Sequence, residues 1–382
     1  MPSKHLCEKL IIIYSQILFN SGAEYNIMNK ETIKQLARRL TDIKLDHELR
    51  IMEVCGTHTA EFFKSGVKDI FPQGLTLIDG PGCPVCVTAN EYLDRAIQVG
   101  KEHNAILTTF GDMIKVPSSY SSLGRELGDG MDIRVVYSPL ESLDIAVDNP
   151  GREVVFLSVG FETTAPTQAA AVMEAKKRNI SNFSILPGNK LTPPAVAALL
   201  SLGEVRIDGF ILPGHVSAIL GSEAWRFIVD DFHKPCVIAG FETPDLLTGT
   251  ISLVEILIRG ELSLVNEYPV IVKKEGNVRA REIMYEVLEK SDATWRGIGV
   301  IPESGLSVRE GYADFDASRK LHVTPPEPKE HAGCKCGELL RGLILPPDCP
   351  LFAKACSPER PVGPCMVSTE GPCSAYYKYW RK

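Results

Sequence analysis

Four short apolar runs constrain this chain more than any other feature, because each ends at a glycine-bearing loop and each is followed by a helix-like stretch. Residues 105–110 lead to Gly111 and Asp112, and residues 154–159 lead to Gly160-Phe-Glu-Thr-Thr-Ala-Pro. Residues 207–212 lead to Pro213-Gly-His-Val-Ser, and residues 236–239 lead to Gly240-Phe-Glu-Thr-Pro. Short, largely apolar runs without regular polar alternation suit strands buried on both faces, as in parallel sheets. Strands alternating with helices imply βαβ units and an α/β fold.

In open parallel sheets, ligands gather beyond the carboxyl ends of the strands, so these loops are candidate site walls. Gly-Phe-Glu-Thr occurs twice, at residues 160–163 and 240–243, each time just after a predicted strand. The spacing of 80 residues suggests a related structural role. The plainer reading is a tight turn with a Ser or Thr helix cap, and for each loop alone the two readings weigh equally. His215 in Pro-Gly-His-Val-Ser is likewise either a site residue or a hydrogen-bonded loop histidine.

A chain of 382 residues exceeds one small core and implies two or three domains. Hydrophobic residues make up 44% and charged residues 23%, the proportions of an ordinary soluble globular protein. The net charge of -7, with no basic block to offset it, argues against a nucleic-acid surface. Beyond residue 27 no stretch approaches the ~20 apolar residues of a membrane span. Near the start, residues 10–19 form an apolar run after Lys4 and Lys9 that resembles a weak signal peptide. The favoured expectation is an N-terminal extension, or a start codon placed early, since a domain-like helical pattern opens at Met28.

Cysteine is distributed unevenly. Of 11 cysteines, six fall between Cys334 and Cys373, behind a proline-rich charged linker at residues 324–332. A secreted disulfide scaffold is short and cysteine-dense throughout, so this pattern favours metal or redox chemistry in a reducing, cytoplasmic compartment. Cys334, Cys349, Cys356 and Cys373 are spaced x14, x6 and x16. Four thiolates are the usual ligand set of a [4Fe–4S] cluster. Structural zinc prefers close pairs of the CxxC kind, which the tail lacks. Spacing therefore favours iron–sulfur over zinc and zinc over disulfides. Two cysteines are left over, and a redox-active pair beside a cluster would use them.

A second thiol region lies upstream. Cys55-Gly-Thr-His58 follows an apolar run, and a helix starting at Gly56 would place Cys55 at its N-terminus. Backbone N–H groups there lower a thiol pKa, and His58 can reach the same side. Such a pair is a nucleophile site or half a metal site. Cys83-Pro-Val-Cys86 is a CxxC that can form a redox disulfide or bind metal. The alternative is a small buried Cys55 with His58 on a helix surface. Cys7 and Cys236 read as structural.

Taken together, Met-Glu-Val-Cys55-Gly-Thr-His58-Thr, Gly-Pro-Gly-Cys83-Pro-Val-Cys86-Val-Thr, Gly160-Phe-Glu-Thr-Thr-Ala-Pro-Thr, Leu-Pro-Gly-His215-Val-Ser-Ala-Ile and the tail from Cys334 to Tyr377 resemble the HypD family of [NiFe]-hydrogenase maturation factors. The resemblance runs from about Met28 to the C-terminus and leaves residues 1–27 as an extension outside it. It implies two Rossmann-like parallel-sheet domains, over residues 28–135 and 136–265, and a cysteine-rich [4Fe–4S] domain over 266–382. It implies a scaffold with redox capacity on which a transient Fe(CN)2CO group is assembled with the partner HypC. Cyanide would arrive from HypE, and the group would pass through HypC to the hydrogenase large-subunit precursor. Carried over by motif, Cys55 would hold the iron with His58 beside it, and Cys83 and Cys86 would be a redox pair near the same cleft. Cys334, Cys349, Cys356 and Cys373 would ligate the cluster, with Cys336 and Cys365 as a second thiol pair. The rival readings are an electron-transfer oxidoreductase that reduces a partner's disulfide, and a zinc-stabilised binding module.

Overall fold

The computed structural model describes residues 30–380, so the apolar run at residues 10–19, Cys7 and the expected extension at 1–27 lie outside the described residues. Eleven strands are described: β1 (Leu49–Glu53), β2 (Leu75–Asp79), β3 (Ile106–Thr109), β4 (Ile133–Val135), β5 (Val154–Ser158), β6 (Phe183–Pro187), β7 (Gly209–Pro213), β8 (Cys236–Ala239), β9 (Leu264–Asn266), β10 (Leu288–Trp295) and β11 (Gly299–Val308). The helices used below are α1 (Lys30–Asp42), α2 (Gly56–Lys64), α3 (Pro84–Val87), α4 (Asn90–His103), α5 (Ala165–Lys177), α6 (Thr192–Leu202), α7 (Gly214–Leu220), α8 (Thr243–Arg259), α9 (Val278–Val287), α10 (Cys336–Leu340), α11 (Pro364–Val367) and α12 (Pro372–Tyr379).

The strands form two parallel sheets and one antiparallel hairpin. The first sheet has the order β2-β1-β7-β8-β9, the second β4-β3-β5-β6, and β10 pairs with β11. The four apolar runs that announced an α/β fold are β3, β5, β7 and β8, and every residue in all four is buried. Burial on both faces follows from helices packing on each side of a parallel sheet.

The strands are shared out differently from the linear division at residue 135. The chain builds β1 and β2, leaves to make the whole second sheet over residues 106–187, and returns to add β7, β8 and β9 to the first. One face of the first sheet packs Ile51, Leu77, Ile211 and Val237 against Leu40 of α1 and Leu246, Leu253 and Val254 of α8. Its other face packs Met52, Phe210 and Ile238 around Trp225. Each such large side chain contributes about 1.5–3 kcal/mol when fully buried. Helix α8 is bounded by a capping box of Glu242 and Asp245, a proline in its first turn and Gly260 at φ 65°.

In the second sheet, Phe156 and Phe183 pack with Val172 of α5, Met284 of α9 and Val308 of the hairpin. The opposite face carries Leu107, Val155 and Leu157 in one continuous core with Leu93, Cys86, Trp295, Cys336, Cys356, Cys365 and Cys373. The cysteine tail thus shares its core with the second sheet. The expected linker over residues 324–332 is a strap without helix or strand. Tyr120 donates to the carbonyl of Glu327 (2.9 Å), Lys329 N donates to Ser119 Oγ (2.8 Å), and Asn90 Nδ2 donates to the carbonyl of Lys329 (2.5 Å).

Candidate functional site: a thiol cleft and a cysteine cavity

Each parallel sheet has one point where its strand order reverses: between β1 and β7 in the first, and between β3 and β5 in the second. Loops leaving adjacent strands diverge there and leave a crevice. Here the two crevices face one another and form one cleft of about 420 Å³. Its walls come from Val54, Cys55 and Thr57 after β1, Phe110 and Asp112 after β3, Gly160, Phe161, Thr163 and Thr164 after β5, His215 after β7, and Glu370 from the tail.

Cys55 opens on this cleft, partly exposed, as the N-cap of α2. Its backbone is held by Glu53, whose Oε2 accepts the Cys55 N–H at 2.7 Å, while Oε1 accepts the Thr59 hydroxyl. Thr57 donates to Glu370 (2.7 Å), and a Cβ on Gly56 would sit 2.5 Å from the Glu370 Cβ. That position therefore requires glycine, and the tail closes directly over the start of α2. Gly82 is equally constrained, since a Cβ there would lie 2.3 Å from Cys55 N.

The expected lowering of the Cys55 thiol pKa is overturned. Burial pushes it up to about 12, the carboxylates of Glu370 and Glu53 push the same way, and the N–H groups of His58 and Thr57 offset only part of this. The helix N-terminus is present, but desolvation and negative neighbours outweigh it.

His58 is fully buried and is absent from the cleft wall. Its Nε2 lies 2.8 Å from the Gly240 carbonyl, and its ring stacks on Phe241 at 4.6 Å. His215 stacks on Phe241 too, at 3.9 Å, so the phenyl ring links the two imidazoles. Burial lowers the His58 pKa to about 4, favouring the neutral ring, and its buried Nδ1 has no hydrogen-bond partner among the described residues. Of this pair, His215 rather than His58 faces the cleft beside Cys55.

The two Gly-Phe-Glu-Thr loops do different things. Glu162 is buried and accepts from Thr192 N (2.7 Å) and Thr192 Oγ1 (2.9 Å), which caps α6, and burial raises its pKa to about 7. Glu242 instead caps its own helix, α8. Gly160 takes φ 154°, where a Cβ would strike Thr164 Oγ1.

Cys83 and Cys86 are disulfide-bonded, with Cα atoms 5.2 Å apart, across the start of α3. Both are buried behind the cleft wall formed by Gly82, Pro84 and Val85. Cys86 abuts α11 through the Pro364 carbonyl, 3.9 Å from its sulfur.

Cys334, Cys336, Cys349, Cys356 and Cys373 wall a small cavity with Leu339, Leu351, Phe352, Met366 and Gly363. A Cβ on Gly363 would lie 2.5 Å from Cys334 Sγ and 2.6 Å from Cys336 Sγ. Val362 N donates to Cys356 Sγ at 3.3 Å. The four expected cluster ligands are therefore brought together, and the fifth thiol, Cys336, contacts Cys334 on one side and Cys365 on the other. The thiols surround a space. Among the described residues no three His, Cys, Asp or Glu groups meet as the ligands of a single ion. Soft donors from three buried thiols and the half-buried Cys334, an apolar lining and a backbone N–H on sulfur are compatible in chemistry with an iron–sulfur cluster.

Sequence reasoning missed Glu53, Asp79, Asp112 and Glu370. Glu53 carried a signal, a lone carboxylate inside an apolar strand. It pairs in register with Asp79 of β2. Both are buried with raised pKa, Glu53 through burial and then Asp79's charge, and neither Asp79 oxygen has a hydrogen-bond partner among the described residues. Asp112 and Glu370 had no motif to mark them.

This fold and site define a class: an α/β protein in which a thiol cleft at two facing strand-order reversals is backed by a disulfide and a buried cysteine cavity. The family profile described as "HypD: Hydrogenase formation hypA family" matches residues 29–380. The chain is 42% identical over 360 residues to a putative hydrogenase expression/formation protein of Methanocaldococcus jannaschii, spanning 93% of this chain and 99% of that one. It is 41% identical over 359 residues to hydrogenase maturation factor HypD of Azotobacter vinelandii (92% and 95%), and 40% over 352 residues to that of Escherichia coli K12 (91% and 94%). The chain belongs to the HypD family. Among its described residues no helix is long and apolar enough to cross a membrane.

Proposed function

We propose that this chain serves hydrogenase maturation as the scaffold on which an Fe(CN)2CO group is assembled, with Cys55 as its thiolate anchor. The observation that carries this reading is the position of Cys55: at the head of α2, on the wall of a cleft fed by loops from both sheets. Iron carrying cyanide and carbon monoxide is a soft centre suited to a thiolate. Metal binding would release the Cys55 proton, which explains why a thiol with raised pKa suits a site that is loaded and unloaded. Asp112, Glu370 and His215 line the same space and would orient the cargo or its donors. A HypC-type partner would supply the remaining anchor, a HypE-type partner the cyanide, and the hydrogenase large-subunit precursor would receive the finished group.

Cys334, Cys349, Cys356 and Cys373 would hold a [4Fe–4S] cluster, which supplies single electrons when bound. Cys336 contacts Cys365 on the cavity side, and the Cys83–Cys86 disulfide behind the cleft wall abuts the carbonyl of Pro364, the residue before Cys365. Thiol couples and clusters span overlapping potentials, so these groups form a path for reducing equivalents. The same disulfide against α11 also favours a second reading, an electron-transfer protein that reduces a partner's disulfide.

Infrared spectroscopy on chain co-purified anaerobically with HypC separates the two. Cyanide and carbonyl stretches that vanish in Cys55→Ala support the scaffold. Their absence from the wild-type complex, with steady turnover of a disulfide substrate, supports the second reading.

A further inference from the structure

A second pocket, of about 320 Å³, opens beyond the carboxyl end of β6, and none of its lining residues lines the thiol cleft or the cysteine cavity. Parallel sheets gather ligands at that end of their strands. The floor is the ring of Tyr92, whose hydroxyl donates to the Leu186 carbonyl at 2.9 Å. The ring lies so close to Gly188 that a Cβ there would come within 2.5 Å of it. The far wall is the hairpin, where the register of β10 against β11 shifts between Ser291 and Ala293. Such bulges are common beside binding sites. Ala89 and Glu91 bring the start of α4 to the same space, and Ala89, the N-cap, gives that 14-residue helix no side-chain acceptor. Its N-terminus favours negative charge there.

Lys190 lines this pocket although it is only 6% exposed. Its Nζ donates to the Thr294 carbonyl of the hairpin wall (2.8 Å) and lies 5.5 Å from the centre of the Trp295 ring. An ammonium has three N–H donors, and this one has no carboxylate at ion-pair distance among the described residues. A buried charge without a counter-ion is costly, and interiors seldom leave one. Burial lowers the lysine's pKa to about 8, so the ammonium still predominates at neutral pH. Three carboxylates share the pocket wall, and each is engaged elsewhere. Glu91 pairs with Arg95 (3.3 Å), Asp316 pairs with Arg319 (3.4 Å), and Asp292 accepts the Glu303 N–H (3.0 Å).

We propose that this pocket binds a small monocarboxylic acid, its carboxylate seated on the Lys190 ammonium and its apolar body against Tyr92, Leu186 and Leu306. The pocket's volume is at the lower end of those that take small molecules. The carboxylates on its wall set the charge of the guest: a doubly charged phosphate would meet three like charges, whereas a singly charged carboxylate is held by the one cation that lacks a partner. The site stands apart from the iron cargo and from the cysteine cavity, and its occupancy depends on neither.

The test is calorimetric titration of the full chain, purified anaerobically, with sodium benzoate, sodium butyrate and inorganic phosphate at fixed ionic strength. One saturable site per chain is expected for the two carboxylates and none for phosphate. Lys190→Met should weaken benzoate binding by about tenfold or more, the cost of losing a charged hydrogen-bond partner. Ser307→Phe, which puts a ring into the pocket from β11 and leaves the lysine in place, should abolish it. Undiminished benzoate binding by a folded Lys190→Met overturns the proposal. If Lys190→Met fails to fold, Ser307→Phe decides, and undiminished binding there overturns it. Phosphate bound as tightly as benzoate also overturns it, as does the absence of saturable carboxylate binding by wild type up to about 10 mM.

Discussion

Two thiol regions share this molecule and differ in everything except the sulfur. Cys55 stands partly exposed in a cleft of about 420 Å³ whose walls include two carboxylates and a histidine. The tail cysteines Cys349, Cys356 and Cys373 are only 5–7% exposed, and leucine, phenylalanine and methionine side chains close their cavity. A group bound by several buried thiols inside the core of the second sheet leaves only if that core opens. A group bound by one thiol at a cleft leaves when a better partner arrives. The difference separates holding from handing on, and under the proposed function the permanent centre would sit in the tail and the cargo in the cleft.

Cys373→Ser puts the greatest strain on that comparison. It should strip iron and sulfide from the chain and destabilise it by about 4 kcal/mol or more, since loss of a bound centre is among the few single changes that cost so much. Metal analysis and denaturant unfolding measure both. Cys55→Ala should abolish hydrogenase maturation in a complementation assay as completely, yet keep the tail's iron and stay within about 0.5 kcal/mol of wild-type stability. If Cys55→Ala also loses the tail's iron, the regions are one site and the comparison fails.

Which parts of this were legible in the chain depends on how far apart the determining residues lie. The strands were legible because runs such as residues 154–159 have no polar alternation, and the structure buries all of β5. The helix at Gly56 was legible because its signals are local. The nesting of one sheet inside the other was not, since β1 pairs with β7 across more than a hundred and fifty residues and no local pattern records that. The Cys55 pKa was misread for the same reason: the helix N-terminus is adjacent in sequence, whereas the burial that opposes it, and then the charge of Glu370, come from segments distant in the chain. His58 was expected beside Cys55, but Gly240 and Phe241 of β8's following loop draw it into the core.

The cleft wall offers a smaller test. Glu162 sits in the loop that lines the cleft, and its pKa rises from 4.5 to about 7 through burial. A carboxyl with raised pKa binds its proton more tightly in the folded state. Its contribution is complete below pH 4.5 and is lost as pH climbs through 7. The loss amounts to about 3 kcal/mol at one pKa unit per ~1.4 kcal/mol. Glu162→Gln should flatten the fall in stability between pH 4.5 and 7, read from urea midpoints, while leaving the tail's iron in place. An unchanged pH profile would mean that Glu162 is not the desolvated anchor that holds this loop behind the cleft wall.

The smallest effect is expected where the two regions meet. Lys68 reaches across the junction: its Nζ donates to the Tyr376 hydroxyl at 2.6 Å and lies over the rings of Phe63 (4.1 Å) and Tyr376 (4.3 Å). Tyr376 is on α12, three residues after Cys373, while the charge of Lys68 also acts on Asp79 and Glu53 beneath Cys55. Lys68→Met keeps the side chain's length and removes one hydrogen bond and two cation–π contacts, a loss of about 1–2 kcal/mol near neutral pH. The sign of its pH dependence follows from the buried carboxyl pair. The lysine's charge opposes the rise in Glu53 and Asp79 pKa, so without it both hold their protons more strongly in the folded state. The variant's deficit should therefore widen as pH rises from 5 to 8. A deficit that stays constant over that range would make Lys68 a packing strut for the tail alone, and the junction would carry no electrostatic link between the cleft and the cavity.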